Sequence, residues 1–327
     1  MKAMVCTKYG PPDVLQLQDI DKPVPKDNEV LIRIHATSVT AGDYRIRGLN
    51  VPFGFKTPMR LMLGFNKPRQ SILGINLAGV IEAVGKDVKQ FKVTDAVYGS
   101  SGMKLGCYAE YICLDENSSL TTKPEHISFE AAAAFPFGMF TALSFLRDKG
   151  RIQPGEKVLI YGASGAVGTA AIQLAKYFGA EVTAVCSGEN IELVASLGAD
   201  KVIDYTKQDF TQSGEQYDII FDTVGKSSFS GSLNSLRDNG RYLLTVTDLW
   251  SNLRILWSNL FRHNKVIAGI ATENRDDLLF LAGLFESGKI TPVVDRIYPF
   301  AQLPDAHAYA EQGHKKGNVV ITMSDQP

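Results

Sequence analysis

Three glycines, Gly162, Gly165 and Gly168, stand at three-residue intervals in the run Tyr161-Gly162-Ala163-Ser164-Gly165-Ala166-Val167-Gly168. The run follows the unbroken apolar segment Lys157–Tyr161 and opens a helical pattern over Ala166–Phe178. That order suits pyrophosphate chemistry. The first glycine or its neighbour permits a sharp turn, Gly165 lets a diphosphate approach the backbone, and Gly168 lets the helix pack closely on the sheet. Free N–H groups at the helix start then meet phosphate oxygens. The competing reading is a turn needed only for strand-to-helix geometry. The strand–helix units around the run favour a nucleotide site. No Gly-Lys-Ser/Thr follows, so the lysine and magnesium chemistry of a P-loop is missing.

The nucleotide's identity turns on the end of the second strand, Val185-Cys186-Ser187-Gly188-Glu189-Asn190. An acidic residue there binds the ribose hydroxyls of NADH. Ser187 leaves room for a 2′-phosphate, whereas Glu189 would repel one. Asn190 and Tyr205 complete the expected adenosine end, and Lys201 and Lys207 offer charge. NADPH is the expected cofactor, with NADH as the alternative.

Other chemistries lack residues. Cys6, Cys107, Cys113 and Cys186 are widely spaced and form no CxxC pair, which argues against a disulfide framework or a zinc knuckle. His35, His126, His263, His307 and His314 form no HxxxH or HExxH pair and read as ordinary surface or strand residues. With 34 basic against 35 acidic residues the net charge is -1, so nothing favours nucleic acid as a partner. A 45% hydrophobic chain of 327 residues is globular, with core enough for two domains.

The elements that must position the glycine turn change character along the chain. Glu29–Ala36, Leu73–Val84, Asp95–Tyr98 and Cys107–Cys113 read as short strands of a mostly antiparallel, barrel-like unit. Residues 49–70 show no clean period and read as a long loop. Phe129–Arg147 reads as one helix. Thereafter strands at 157–161, 181–186, 201–204, 217–222, 241–246 and 265–270 alternate with helices, the pattern of a parallel sheet covered on both faces. A helix at 275–288, a strand at 291–297, a helix at 303–312 and a strand at 318–323 complete the chain, the tail returning to the first unit. The apolar runs Val158–Tyr161 and Ala131–Phe140 fall short of the roughly 20 residues that span a bilayer, and the expected compartment is the cytoplasm.

Several segments together resemble the medium-chain dehydrogenase/reductase superfamily, and within it the zinc-independent quinone oxidoreductase branch. They are Ser38–Gly48, Gly74–Gly85, Gly162–Gly168, Gly198-Ala199-Asp200 with Val202-Ile203-Asp204-Tyr205, and Gly317-Asn318-Val319-Val320. The resemblance covers nearly the whole chain. It implies a GroES-like β-barrel catalytic domain, residues 1–125 and 290–327, around a Rossmann NAD(P)-binding domain, residues 126–289. It also implies a homodimer. Where zinc-dependent relatives carry metal ligands, this chain has Thr40, Gly74-Ile75-Asn76 and Phe137.

Without a Lewis-acid metal, simple alcohol oxidation loses its activation. The resemblance implies hydride transfer to a quinone or an α,β-unsaturated carbonyl, whose electrophilic carbon needs no metal. It places Thr40–Arg47 beside the nicotinamide. Tyr44 and Arg45 are expected to orient the acceptor or stabilise its developing oxyanion, Asn76 to hydrogen-bond where a metal ligand stood, and Arg47 to pair with Asp43. Tyr44 also reads as a packed aromatic at the domain seam. Thr141 is placed near the nicotinamide. Asp222, Val224, Thr245, Thr247, Gly269, Ile270 and Ala271 are placed at strand ends lining the cofactor cleft, and Gly317 and Asn318 near the adenosine phosphate. The amphipathic segment 249–261 reads first as core packing, and otherwise as a substrate mouth, dimer face or membrane contact. An enoyl-thioester or alkenal reductase is the enzymatic alternative. An NADPH-binding interaction or sensor protein is the non-enzymatic one.

Overall fold

The computed structural model describes residues 1–50, 56–247, 249–261 and 263–323. β1 (Lys2–Cys6) and β2 (Leu15–Asp19) form an antiparallel pair. β3 (Glu29–Val39) leads into helix α1 (Ala41–Gly48), and α2 (Lys56–Leu63) follows. β4 (Asn76–Val84), β5 (Ala96–Ser100), β6 (Tyr111–Asp115) and β7 (Leu120–Thr122) complete this stretch. The loop expected over residues 49–70 thus contains a helix. α2 is eight residues long and fully buries only Leu63, too little to print a helical period in the sequence. Residues 51–55 of that expected loop lie outside the described residues.

The single helix expected at Phe129–Arg147 is α3 (Phe129–Ala134) and α4 (Pro136–Leu143), continued by a π turn over Ser144–Lys149. Pro136 opens α4 because a proline at the first helical position lacks only an N–H that has no partner there anyway. The run Phe129–Lys149 has the length and hydropathy of a membrane span, but 78% of its apolar window is buried inside the protein. It is a core helix.

The alternating region comprises β8 (Lys157–Tyr161), α5 (Ala166–Tyr177), β9 (Glu181–Cys186), α6 (Ile191–Ser196), β10 (Lys201–Asp204), β11 (Tyr217–Asp222), α7 (Phe229–Asn234), β12 (Leu236–Leu244), α8 (Leu249–Phe261), β13 (Lys265–Ala268) and α9 (Arg275–Glu286). Its six strands form one parallel sheet in the order β10-β9-β8-β11-β12-β13. The order reverses between β8 and β11, and a crevice for ligands opens at the carboxyl ends of strands at such a point. The strands' apolar character follows from burial on both faces: Val158, Leu159 and Ile160 are fully buried.

β14 (Val294–Pro299), α10 (Leu303–Glu311) and β15 (Asn318–Thr322) return to the first sheet. That sheet runs β14-β15-β3-β4-β5-β7, with β6 also on β3. It is antiparallel except for β14 beside β15. One core joins the two sheets: Tyr98 and Val320 of the barrel cluster with Phe135, Phe140, Phe221 and Phe285. Phe135 stacks on Phe285 at 4.3 Å, and Tyr98 meets both rings edge-on at 5.9 and 6.1 Å.

Candidate active site

The three glycines occupy three different environments. Gly162 ends β8 with φ +79°, and a Cβ there would stand 2.7 Å from Val224 Cγ1. At Gly168 a Cβ would stand 2.3 Å from the Gly162 carbonyl oxygen and 2.6 Å from Ala163 Cα, so the helix sits hard on the turn. At Gly165 a Cβ would meet nothing nearer than the Gly162 oxygen at 3.6 Å. A ligand can therefore approach the backbone at Gly165. α5 starts at Ala166 with no side chain capping it, leaving first-turn N–H groups for an anion. Ala163 is fully buried and Val167 packs on the shared core. The turn fits a dinucleotide's diphosphate.

The tail reaches this turn. Gly317 donates its N–H to the Ser164 carbonyl at 2.8 Å and bridges Gly165. Asn318 hydrogen-bonds the Val293 carbonyl at 3.1 Å and shares a crevice with Ala166 and Gly138. Lys315, absent from the sequence-based set, donates to the Gly317 carbonyl, and burial pushes its ammonium down to about 8. Lys201 and Lys207 are committed elsewhere, to Glu215 at 3.4 Å and Asp204 at 3.8 Å.

At the adenosine end, Asn190 Nδ2 donates to Ser187 Oγ at 2.8 Å. Asn190 Oδ1 is buried without a partner, an acceptor left for a donor that the protein does not supply. Tyr205 is drawn to the β9 end by its N–H bond to the Cys186 carbonyl at 3.0 Å, and the residue is 51% exposed.

Toward the middle of the crevice, Thr141 Oγ1 donates to the Phe137 carbonyl at 2.8 Å and keeps its acceptor capacity. Asp222 departs from expectation. Its buried carboxylate accepts from the N–H groups of Val224, Gly225 and Ser227 and from Ser227 Oγ, at 2.6–2.9 Å. With those donors satisfied internally, Asp222 shapes the turn that sets Val224 against Gly162. Thr245 donates its N–H to the Asp222 carbonyl at 3.3 Å, and Thr247 is half-buried. Gly269 takes φ +153°, Ile270 is 90% exposed, and Ala271 packs on the core. Lys149 Nζ ties the Ile270 carbonyl at 2.6 Å.

α1 presents the expected acceptor groups. Thr40 caps it reciprocally with Asp43: Thr40 Oγ1 donates to the carboxylate at 2.7 Å and accepts the Asp43 N–H at 3.3 Å. Gly74 adds an N–H at 3.1 Å, and full burial still pushes the Asp43 carboxyl up to about 6. The expected Arg47–Asp43 pair does not form. Asp43 is consumed by the cap, and the buried Arg47 reaches Glu311 of α10 instead. Tyr44 is half-buried against the cluster around Met4 and Tyr108, and burial raises its phenol. Tyr44 and Arg45 make no hydrogen bond to the glycine-rich turn among the described residues. Asn76 is fully buried; its Nδ2 donates to Ser38 Oγ at 2.9 Å and its Oδ1 has no partner.

Two groups escaped the sequence reading. Ser100 pairs with Asn76 across β4 and β5, and its Oγ donates to Glu273 at 2.5 Å. Burial raises the Glu273 carboxyl. The one available signal was a lone acid just beyond a strand end expected to line the cleft. His307 also differs from expectation: it is fully buried on α10, 3.1 Å from the Tyr108 hydroxyl, because α10 closes over the first sheet's core.

Among the described residues no group of three or more His, Cys, Asp or Glu is placed to hold a metal. Thr40, Ile75, Asn76 and Phe137 supply no anionic ligand at the positions in question.

Residues 26–125 match the family model for the alcohol dehydrogenase GroES-like domain, and residues 197–321 match one described as zinc-binding dehydrogenase. The mitochondrial NAD(P)H oxidoreductase RTN4IP1 of Mus musculus is 33% identical over 365 residues, covering 99% of this chain and 89% of that protein. The chain belongs to the zinc-independent quinone and enone oxidoreductase branch of the medium-chain dehydrogenase/reductase superfamily. The chloroplastic NADPH-dependent alkenal/one oxidoreductase of Arabidopsis thaliana is 33% identical, over 98% of this oxidoreductase and 79% of the relative. The solved quinone oxidoreductase of Coxiella burnetii superposes with TM-score 0.87 and 30% identity over 99% of both chains. The cytoplasmic expectation is overturned, since relatives carry mitochondrial and chloroplastic names.

Proposed function

We propose that this oxidoreductase prefers NADPH, and that Tyr44, Arg45 and Asn76 hold its acceptor. The reaction is an NAD(P)H-dependent, zinc-independent hydride transfer to a quinone or an α,β-unsaturated carbonyl. The carrying observation is the pairing of a complete diphosphate cradle, Gly162–Gly168, with uncharged side chains at Thr40, Ile75 and Asn76. NADPH, when bound, supplies the hydride. The chain's own residues bind and orient. The turn and the α5 N-terminus take the diphosphate, Ser187, Asn190 and Tyr205 take the adenosine ribose and its phosphate, and Lys315 adds positive charge near Gly317. NADPH rather than NADH is supported by the absence of an acid at Ser187.

On the acceptor, the Tyr44 hydroxyl donates to the carbonyl oxygen, and the Arg45 guanidinium offsets the negative charge that grows there. The Asn76 amide fixes the pocket wall. A conjugated acceptor already carries its electrophilic carbon, so donors suffice where simple alcohol chemistry would call for a metal.

The working division is residues 1–125 with 290–327 as the acceptor-binding domain and 126–289 as the cofactor domain. Sheet membership supports it: β14 and β15 lie in the barrel sheet and β8–β13 in the parallel sheet. A homodimer through β13 is the proposed assembly, because among the described residues β13 ends its sheet with β12 alone beside it. Sedimentation of the purified chain tests the dimer.

The test of function is NADPH oxidation against a panel of quinones, enones, alkenals and enoyl thioesters. Turnover with quinones or enones is expected. Tight NADPH binding without turnover of any acceptor would overturn the reading in favour of a cofactor-binding sensor.

A further inference from the structure

From Tyr44 to Ile81 the chain holds six basic residues and no acidic one, in a protein whose overall net charge is -1. Arg47 is spent on Glu311. Lys56, Arg60, Lys67 and Arg69 are exposed and have no carboxylate partner among the described residues. They lie on and just after α2, whose packing is unusual. Leu63 is buried and Met59 half-buried beside it, while the opposite side, Pro58, Leu61 and Met62, faces outward. Leu61 is 57%, Met62 53% and the following Phe65 62% exposed. A helix apolar on its outer side and flanked by cations has no partner for that side among the described residues.

The patch is firmly held. The Tyr9 hydroxyl donates to the Gly64 carbonyl at 2.9 Å, and the Arg69 N–H donates to the Leu63 carbonyl at 2.6 Å. Gly10, next in the same loop, donates its N–H to the Arg47 carbonyl at 3.1 Å, so one loop joins the base of α2 to α1.

We propose that this face docks on an anionic lipid bilayer, with headgroup phosphates on the four cations and Leu61, Met62 and Phe65 in the acyl boundary. An acidic protein or a nucleic acid would match the charge but would leave those three apolar side chains against polar groups. Long cationic side chains beside apolar ones suit the interface, where the stems lie in the apolar layer and the heads stay in water. The proposal stands apart from the acceptor assignment, since docking is measured without substrate.

The experiment is co-sedimentation of the purified chain with phosphatidylcholine vesicles, with and without phosphatidylserine. Binding to the anionic vesicles alone, reversed by salt, is expected. Arg60→Glu with Lys67→Glu lowers the partition at least about tenfold, and Leu61→Ser with Phe65→Ser lowers it independently. Turnover of a water-soluble quinone and the melting temperature stay unchanged in both variants, which separates lost docking from misfolding. Equal sedimentation with neutral vesicles, or undiminished binding by the charge-reversed variant, would overturn the proposal. So would binding of soluble polyglutamate or heparin without binding of anionic vesicles, which would assign the patch to a polyanionic macromolecule.

Discussion

Glu273, just beyond the last strand of the parallel sheet, accepts a 2.5 Å hydrogen bond from Ser100 of the barrel sheet. Burial raises its carboxyl above the ordinary glutamate value of 4.5. The folded state therefore binds this proton more tightly than the unfolded chain does. Its contribution is fully present below the unfolded value and is lost as pH rises through the raised folded one. Glu273→Gln removes that slope. Thermal melting across mildly acidic pH should show wild type losing stability on the rise relative to the variant. Ser100→Ala costs about 1 kcal/mol from the lost hydrogen bond, and costs more where Glu273 is ionised, because the hydroxyl favours the carboxylate form.

The glycine turn separates binding from folding. Gly165→Ala fits its backbone and makes only an ordinary 3.6 Å contact with the Gly162 oxygen, so the melting temperature holds while the NADPH dissociation constant rises. Gly168→Ala drives a methyl into the Gly162 carbonyl and destabilises the fold by about 1–3 kcal/mol. Equal effects of the two on melting would refute this division of labour.

His307 makes the acid side sensitive. Burial, and secondarily the Arg47 charge, push its imidazole from 6.5 down to about 3. The unfolded chain takes the proton first, so stability present above pH 6.5 is lost as pH falls toward 3. His307→Gln flattens that acid limb in melting curves, even if it lowers stability at neutral pH. An unchanged acid limb would show that His307 does not govern it.

Ser187→Asp places a carboxylate where the 2′-phosphate is proposed to lie. The ratio of kcat/KM for NADPH over NADH should fall by at least about tenfold, since like-charge juxtaposition costs several kcal/mol. An unchanged ratio would move the phosphate site elsewhere.

Tyr44→Phe removes the proposed donor to the acceptor oxygen and keeps the ring. The expected loss is about 100-fold in kcat, with NADPH affinity unaltered. A wild-type kcat would leave Tyr44 as a packing residue on α1.

What was legible in the sequence was local. The glycine spacing, the buried strand before it and the alternation of strands with helices are short-range patterns, and the parallel sheet follows from them. The barrel's return strand was legible through Gly317-Asn318. What escaped depends on partners distant in sequence. Asp43 looked like a mate for Arg47 because they are one helical turn apart. The N-terminal cap competed for the carboxylate, and α10 brought Glu311 to the guanidinium. Ser100 and Glu273 meet only once the two sheets share a core. α2 was hidden because a helix this short, with apolar residues on both sides, has no readable period.

The placement of β15 has a consequence for how the protein is made. Residues 318–322 lie between β14 and β3, so a strand translated near residue 30 waits for a neighbour from beyond residue 317. The parallel sheet needs nothing past residue 268 and can assemble while synthesis continues. β6 covers β3 over Glu29–Arg33, but the stretch Ala36–Val39 lacks its β15 neighbour until residue 322 has cleared the ribosome. Nascent chains halted between these two points should thus carry an assembled parallel sheet and an open, chaperone-dependent first sheet.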